Sequence, residues 1–123
     1  MKYLKFISAM NSKTSEHIES VEIPFKIEVS RKDTNDGTKI FIEITNLTKN
    51  TLNDVELHIN GAKIIENRLI KSNCKIEHEI GICNEVFGTR IERYRFPVGS
   101  LEDKYNKLSI IANGIHYKFD ADF

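Results

Sequence analysis

The sequence is poor in the residues that build metal clusters, disulfide frameworks and phosphate-binding loops. Its 123 residues contain two cysteines, two prolines, six glycines and no tryptophan. No phosphate-cradling glycine loop, dinucleotide fingerprint or serine-hydrolase motif occurs in it. Lysine plus arginine and aspartate plus glutamate both number 18, so no net charge draws the chain to nucleic acid or to anionic lipid.

Long apolar runs are also absent. Lys5 interrupts the apolar start of the chain after two residues, and polar residues follow from Asn11, so we expect no secretory signal. No stretch approaches the roughly 20 apolar residues of a membrane helix. Isoleucine, lysine and asparagine make up 42 of the 123 residues, a bias that suggests an AT-rich genome of a bacterium, an archaeon or one of their viruses. We therefore expect a cytoplasmic protein, or a virion or host-cytoplasm component if the source is viral.

Alternation of apolar and polar residues runs through most of the chain. The length of the chain and its 40% of apolar residues predict a single globular domain over residues 1–123. The clearest alternation covers Val21–Val29 and predicts a strand with one buried face. Pro24 cannot donate to a sheet ladder, so this strand is expected at an edge, at a bulge or at a change of sheet. Arg31–Thr38 is predicted to be a turn.

The stretch Lys39–Gly61 contains two further strands separated by a polar gap, Asn46–Thr51. Asn60-Gly61 is typical of a two-residue hairpin turn, and Asn113-Gly114 predicts a second one. The residues of this stretch that are predicted to face the core are Ile40, Ile42, Ile44, Val55, Leu57 and Ile59.

The remaining strand signals complete an all-β pattern. They lie at Ala62–Glu66, Cys74–Ile80, Arg90–Val98, Leu108–Ala112 and Ile115–Ala121. Helical periodicity does not extend over twelve residues anywhere, although the least determined segment, residues 11–20, has room for one helical turn. Seven to nine short strands with regular turns favour an antiparallel Greek-key β-sandwich, with a small closed barrel as the alternative.

One pattern resembles a known class of module. The order I-x-I-x-N-x-T, a polar gap and D-V-x-L-x-I-N-G resembles the central hairpin of immunoglobulin-like domains of the CARDB type and of clathrin-adaptor appendages. The resemblance covers roughly a third of the chain and implies an immunoglobulin-like sandwich that binds or scaffolds proteins and has no shared catalytic site. The matching residues are Ile42, Ile44, Asn46, Thr48, Asp54, Val55, Leu57, Ile59, Asn60 and Gly61.

Two groups of residues carry types found in catalytic or metal sites. Asp54, Glu56 and His58 share the outward face of one predicted strand, a spacing seen in hydrolytic sites but also on any solvent-facing strand. No nucleophile, base and orienting group can be assembled around them, so we expect no enzyme activity. Cys74 and His78 would lie about 13 Å apart on one strand, too far to share a zinc ion. We expect no metal or cofactor, and two reduced, partly buried thiols.

The least ordinary segment is Thr89–Pro97. Three of the five arginines in the chain fall within its positions 90–95, beside aromatic residues. Arginine next to tyrosine is typical of protein interfaces, and the alternatives are a charge-protected edge strand and a single-stranded nucleic-acid contact. The candidate partner-binding residues are Arg90, Arg93, Tyr94, Arg95 and Phe96.

Together these features predict a non-enzymatic protein-interaction module that binds through a sandwich edge and loops. An adaptor, a virion component and a small inhibitor of a host protein all fit this description. The partner is expected to be another protein, with a homo-oligomer through an edge strand as a further option. A small-molecule or carbohydrate-binding β-sandwich is the alternative, and neither nucleic acid nor a membrane is expected as a ligand.

Overall fold

Strands make up all the regular secondary structure of the described residues. The computed structural model describes residues 3–35, 37–86, 89–91, 95–96, 99–100 and 106–122, with side chains for residues 4–35, 37–81 and 106–121. None of these residues forms a helix long and apolar enough to cross a membrane. The strands in chain order are β1 (Tyr3–Asn11), β2 (Phe25–Thr34), β3 (Gly37–Asn46), β4 (Leu52–Ile59), β5 (Ala62–Ile70), β6 (Lys75–Val86), β7 (Thr89–Ile91), β8 (Arg95–Phe96), β9 (Gly99–Ser100), β10 (Asn106–Ala112) and β11 (Ile115–Asp122).

These strands form two main sheets. One has five strands in the order β1-β11-β10-β4-β5, the other has four in the order β2-β3-β6-β7, and β8 pairs with β9. Neighbouring strands run antiparallel throughout. The predicted antiparallel all-β sandwich is confirmed, and its Greek-key connectivity stays a prediction.

A single apolar core lies between the two sheets. Phe25 of β2 packs edge-to-face on Tyr117 of β11 at 5.1 Å and on Phe119 of the same strand at 6.1 Å between ring centroids. These contacts tie the two sheets together, and burial of the Tyr117 ring raises the pKa of its hydroxyl above the ordinary value. The six core positions predicted on β3 and β4 are confirmed, because all of them are at most 2% exposed.

Both predicted Asn-Gly hairpins are confirmed. The φ angles are 50° at Asn60, 83° at Gly61, 49° at Asn113 and 77° at Gly114. Positive φ at both central residues is the geometry of a type I′ turn, which matches the twist of the strands that it joins. The first turn joins β4 to β5 and the second joins β10 to β11.

The polar gap between β3 and β4 is held by one buried side chain, Asn46. Its Nδ2 donates to the carbonyls of Asn50 at 2.7 Å and Ile70 at 2.9 Å. Its Oδ1 accepts from the backbone N–H of Thr48 at 2.9 Å and from the Thr48 hydroxyl at 2.7 Å. Asn46 therefore fixes the crossing between the sheets, which gives this gap a structural role.

Several segments differ from the sequence prediction. Strand β1 was not predicted, because a register shift between Phe6 and Ser8 interrupts its alternation. The turn predicted at Arg31–Thr38 was too long, since β2 continues to Thr34 and β3 begins at Gly37 through an unbroken ladder. The segment with room for a helical turn forms one isolated turn, in which the Ser15 N–H donates to the Asn11 carbonyl at 2.8 Å and the Asn11 N–H donates to the Glu16 carbonyl at 2.9 Å.

The strand predicted from Val21 begins only after Pro24. Val21 and Ile23 still pack against the core, half-buried, but they lie outside β2. Proline has no N–H, so the ladder cannot extend through it. Within the described part of the chain β2 is the outermost strand of its sheet, which confirms the edge position that Pro24 predicted.

Candidate functional site

The arginine-rich segment predicted from sequence lies only in part within the described residues. Arg90 belongs to β7 opposite Glu85, and Arg95 begins β8 opposite Ser100. Phe96 is the other residue of β8, and Arg93 and Tyr94 lie outside the described residues. The continuous strand predicted over residues 90–98 is therefore described as two short ones, and the proposed contact role of these residues stays a prediction.

An apolar cleft opens on the side of the sandwich where β1 is the outermost strand of the five-stranded sheet and β2 is the outermost described strand of the other. Its volume is about 270 Å³. Lys26 is the one charged residue in its lining, so the cleft offers apolar contacts and few hydrogen-bonding groups. The residues that line it are Leu4, Ile23, Phe25, Lys26, Ile27, Leu47 and Phe119.

Exposed apolar side chains lie in this cleft and on β1, the strand that supplies Leu4 to its lining. Leu47 is 56% exposed, and its backbone N–H donates to the Pro24 carbonyl at 2.9 Å, which holds it beside the start of β2. Phe6 is 37% exposed and packs edge-to-face on Phe119 with the ring centroids 5.7 Å apart. Ile7 follows at the bulge in β1 and is also exposed. A binding partner would find apolar surface here that the domain itself leaves uncovered.

The backbone of β2 presents unused hydrogen-bonding groups beside the cleft. The hydrogen bond from the Leu47 N–H to the Pro24 carbonyl shows that these two opposed residues point their backbone groups toward each other. In an antiparallel ladder every second pair of opposed residues does so. With the unbroken register of β2 and β3, Lys26 and Glu28 therefore direct their backbone groups toward β3. The N–H and C=O groups of residues 25, 27 and 29 point the other way, where no described strand pairs with β2.

The outer face of the four-stranded sheet carries a row of acidic residues that lysines neutralise. Glu28, Glu43 and Glu77 lie opposite one another across β2, β3 and β6. A hydrogen bond from Lys32 lowers the pKa of Glu77. The ion pairs of this row are Lys26–Glu28 at 2.6 Å, Lys75–Glu43 at 3.5 Å and Lys32–Glu77 at 2.7 Å.

The pair nearest the free edge is Lys26 and Glu28. The hydrogen bond between them, reinforced by their charge attraction, raises the pKa of Lys26 and lowers that of Glu28. Both side chains are in solvent, so the pair contributes little to stability. Its importance lies in position, because it fixes one positive and one negative charge along the open edge.

Of the three outward-facing residues weighed as a hydrolytic site, Glu56 and His58 lie together. His58 Nε2 lies 3.1 Å from Glu56 Oε2 on the outer face of β4. Asp54 instead occupies a register shift in the β4–β5 pairing, with a φ of 52°. The described part of the chain holds no group of three or more His, Cys, Asp or Glu residues that could bind a metal ion.

Acidification is expected to destabilise the protein through His116. Burial chiefly lowers the pKa of His116 from 6.5, with Lys118 and His58 adding to the shift and Glu56 opposing it. The unfolded chain then binds the proton more readily, so stability should fall as pH drops through 6.5 and level off below the lowered folded pKa. Urea denaturation across this range should show a smaller loss for His116→Gln, and an equal loss in both proteins would contradict this role.

Cys74 differs from its prediction as a partly buried thiol. Cys74 lies in the connection just before β6, and its thiol is exposed and forms no disulfide. Cys83 lies nine positions further along, within β6. Their Cα atoms are separated by roughly 30 Å along an extended chain, far beyond the ~7 Å limit of a disulfide.

Comparison with models of known protein families, with curated proteins and with solved structures finds no match to this chain. The functional argument therefore rests on the chain's own geometry. Sequence reasoning did not identify the cleft, because its lining comes from β1, β2, β11 and two connections. Two local signals were available: Pro24 marked an edge strand, and Leu47 is the single apolar residue in the polar gap.

Proposed function

We propose that this protein is a non-enzymatic interaction module that binds an extended segment of another polypeptide chain along the β2 edge. The observation that carries the proposal is the juxtaposition of unused backbone groups on β2 with the apolar cleft beside them. A strand that adds to a sheet edge gains affinity from main-chain hydrogen bonds and specificity from pockets for its alternate side chains. This site offers both features.

The cleft fits a peptide better than a small ligand. Pockets for drug-sized molecules typically measure about 300–1,000 Å³ and contain several placed polar groups. This cleft of about 270 Å³ lies near the lower end of that range, and the ammonium group of Lys26, its one charged lining residue, is already paired with Glu28. One or two apolar side chains of an added strand would fill it. A carbohydrate would need several polar side chains to bind its hydroxyl groups, and Lys26 is the one polar side chain in this lining.

The proposed relation to immunoglobulin-like modules points to the same class of function. Its support is the strand order, in which β3 and β6 are neighbours while the β4–β5 hairpin between them belongs to the other sheet. Modules of this architecture commonly act by binding other proteins. An adaptor, a virion component and an inhibitor of a host protein would all use the same edge, and residues 90–96 would form a second contact surface.

Replacing Leu47 with serine should weaken partner binding about tenfold, because an apolar side chain at the cleft is lost. The matched control is Leu69→Ser. Leu69 is 53% exposed, close to the 56% of Leu47, but lies on β5 at the far edge of the other sheet. Each immobilised protein would be incubated with extract of the source organism, and retained proteins would be quantified by mass spectrometry.

The expected result is a partner retained by the wild type and by Leu69→Ser but depleted with Leu47→Ser. Thermal denaturation would verify that both variants remain folded. Equal retention by all three proteins would show that the cleft is not the binding surface. Release of the retained partner by a small apolar compound would instead favour the ligand-binding alternative.

A further inference from the structure

We infer that the chain added to the β2 edge is a second copy of this protein, with the two β2 strands paired antiparallel about a two-fold axis at Ile27. This inference rests on the proposed function of the edge and names its partner. A two-fold interface places the same surface on both copies, so β2 must be complementary to itself. Its backbone, its inward side chains and its charges all meet that condition.

The backbone groups match in this register. Ile27 faces Ile27 of the second copy, and Phe25 faces Val29 of the second copy in both directions. These are the residues whose N–H and C=O groups β3 leaves unused. Each such pair exchanges two hydrogen bonds, so the interface gains about six without disturbing the existing ladder.

The inward side chains match as well. Phe25 and Ile27 are buried and line the cleft, and Val29 is half-buried on the same face. In the paired strands Ile27 meets Ile27, and Phe25 meets Val29 of the second copy. Because Phe25 and Ile27 already pack in the core of their own copy, the pairing would bring the two clefts side by side along the joined strands.

The outward charges select this register over its neighbours. Lys26 lies opposite Glu28 of the second copy, and the reverse pair forms on the other side of the axis. Shifting the axis by one residue would place Lys26 opposite Lys26, or Glu28 opposite Glu28. Directly opposed like charges destabilise a pair of strands, and opposite charges stabilise it. The existing ion pair holds both side chains near the edge where they would meet.

Pairing would also protect the edge. The four-stranded sheets of two copies would join into one continuous sheet, and each β2 would gain a neighbour on its open side. An unpaired edge with apolar surface beside it is a site of uncontrolled association. A closed two-fold pair satisfies that edge and leaves no further β2 free for a third copy.

Charge reversal tests the inference, with light scattering as the measurement. Wild type should show a concentration-dependent rise from 14.2 kDa toward twice that mass. Lys26→Glu and Glu28→Lys should each weaken self-association about tenfold or more, because each places like charges across the two-fold axis. Mixing the two variants in equal amounts should restore dimers, because the opposed charges are then opposite in sign. The double variant should also dimerise alone.

The mixing step excludes simple misfolding as a cause, because two misfolded proteins would not restore each other. A wild type that remains at 14.2 kDa at all concentrations would overturn the inference. So would single variants that dimerise like wild type, or a mixture that stays monomeric. A monomeric protein that still retains a Leu47-dependent partner would overturn the dimer alone and leave the proposed function standing.

Discussion

Replacing Phe25 with alanine is expected to lower the free energy of unfolding by about 4 kcal/mol, within the usual range for a buried phenylalanine. Phe25 is 4% exposed and is the aromatic residue through which β2 contacts Tyr117 and Phe119 of the other sheet. Truncation removes apolar burial, two edge-to-face contacts and the packing at the inner end of the cleft. Urea denaturation of the purified variant would measure the change.

Phe6 provides a matched control for this prediction. Its ring also packs edge-to-face on Phe119, but it is 37% exposed. Phe6→Ala should cost about 1 kcal/mol, because much of the ring already contacts water. Equal losses for Phe6→Ala and Phe25→Ala would contradict the assignment of Phe25 to the link between the sheets.

Replacing Asn46 with alanine is expected to lower the free energy of unfolding by about 3 kcal/mol. The side chain is fully buried and makes hydrogen bonds to Thr48, Asn50 and Ile70. Alanine leaves the Ile70 carbonyl without this donor in the interior, and an unsatisfied buried group costs more than an average hydrogen bond stabilises. Because these bonds share one side chain, their loss is simultaneous.

The neighbouring asparagine tests whether the effect is specific. Asn50 is exposed, and its backbone carbonyl rather than its side chain accepts the bond from Asn46. Asn50→Ala should therefore change the free energy of unfolding by less than about 0.5 kcal/mol. A loss near 3 kcal/mol in Asn50→Ala, or a small loss in Asn46→Ala, would show that the crossing is held in another way.

Local patterns in the sequence were sufficient to predict the strands in which apolar and polar residues alternate without interruption. β3 and β4 have one fully buried face each, so period-two apolar residues predicted them and their orientation. The two Asn-Gly pairs predicted their hairpins, because few other residues accept positive φ twice in succession. β1 was missed because the extra residue between Phe6 and Ser8 breaks the period-two alternation. The apolar residues before and after it therefore do not follow a single alternating pattern.

The candidate site depends on non-local placement that no pattern encodes. Leu4, Leu47 and Phe119 are distant in sequence and meet only because β1 and β2 border the same side of the sandwich. The unused N–H groups of β2 follow from its pairing with β3. The bond between Leu47 and Pro24 shows which alternate residues of β2 point away from β3. Sequence alone predicted an edge at Pro24, but not which backbone groups that edge would expose.

The most direct test of the β2 edge as a binding surface is residue-resolved amide hydrogen exchange in dilute and in concentrated protein. In dilute solution the amides of Lys26 and Glu28 should be protected by β3, and those of Phe25, Ile27 and Val29 should exchange rapidly. At concentrations where dimers form, all five amides should become protected. Rapid exchange of Phe25, Ile27 and Val29 that persists at every concentration would contradict pairing at this edge.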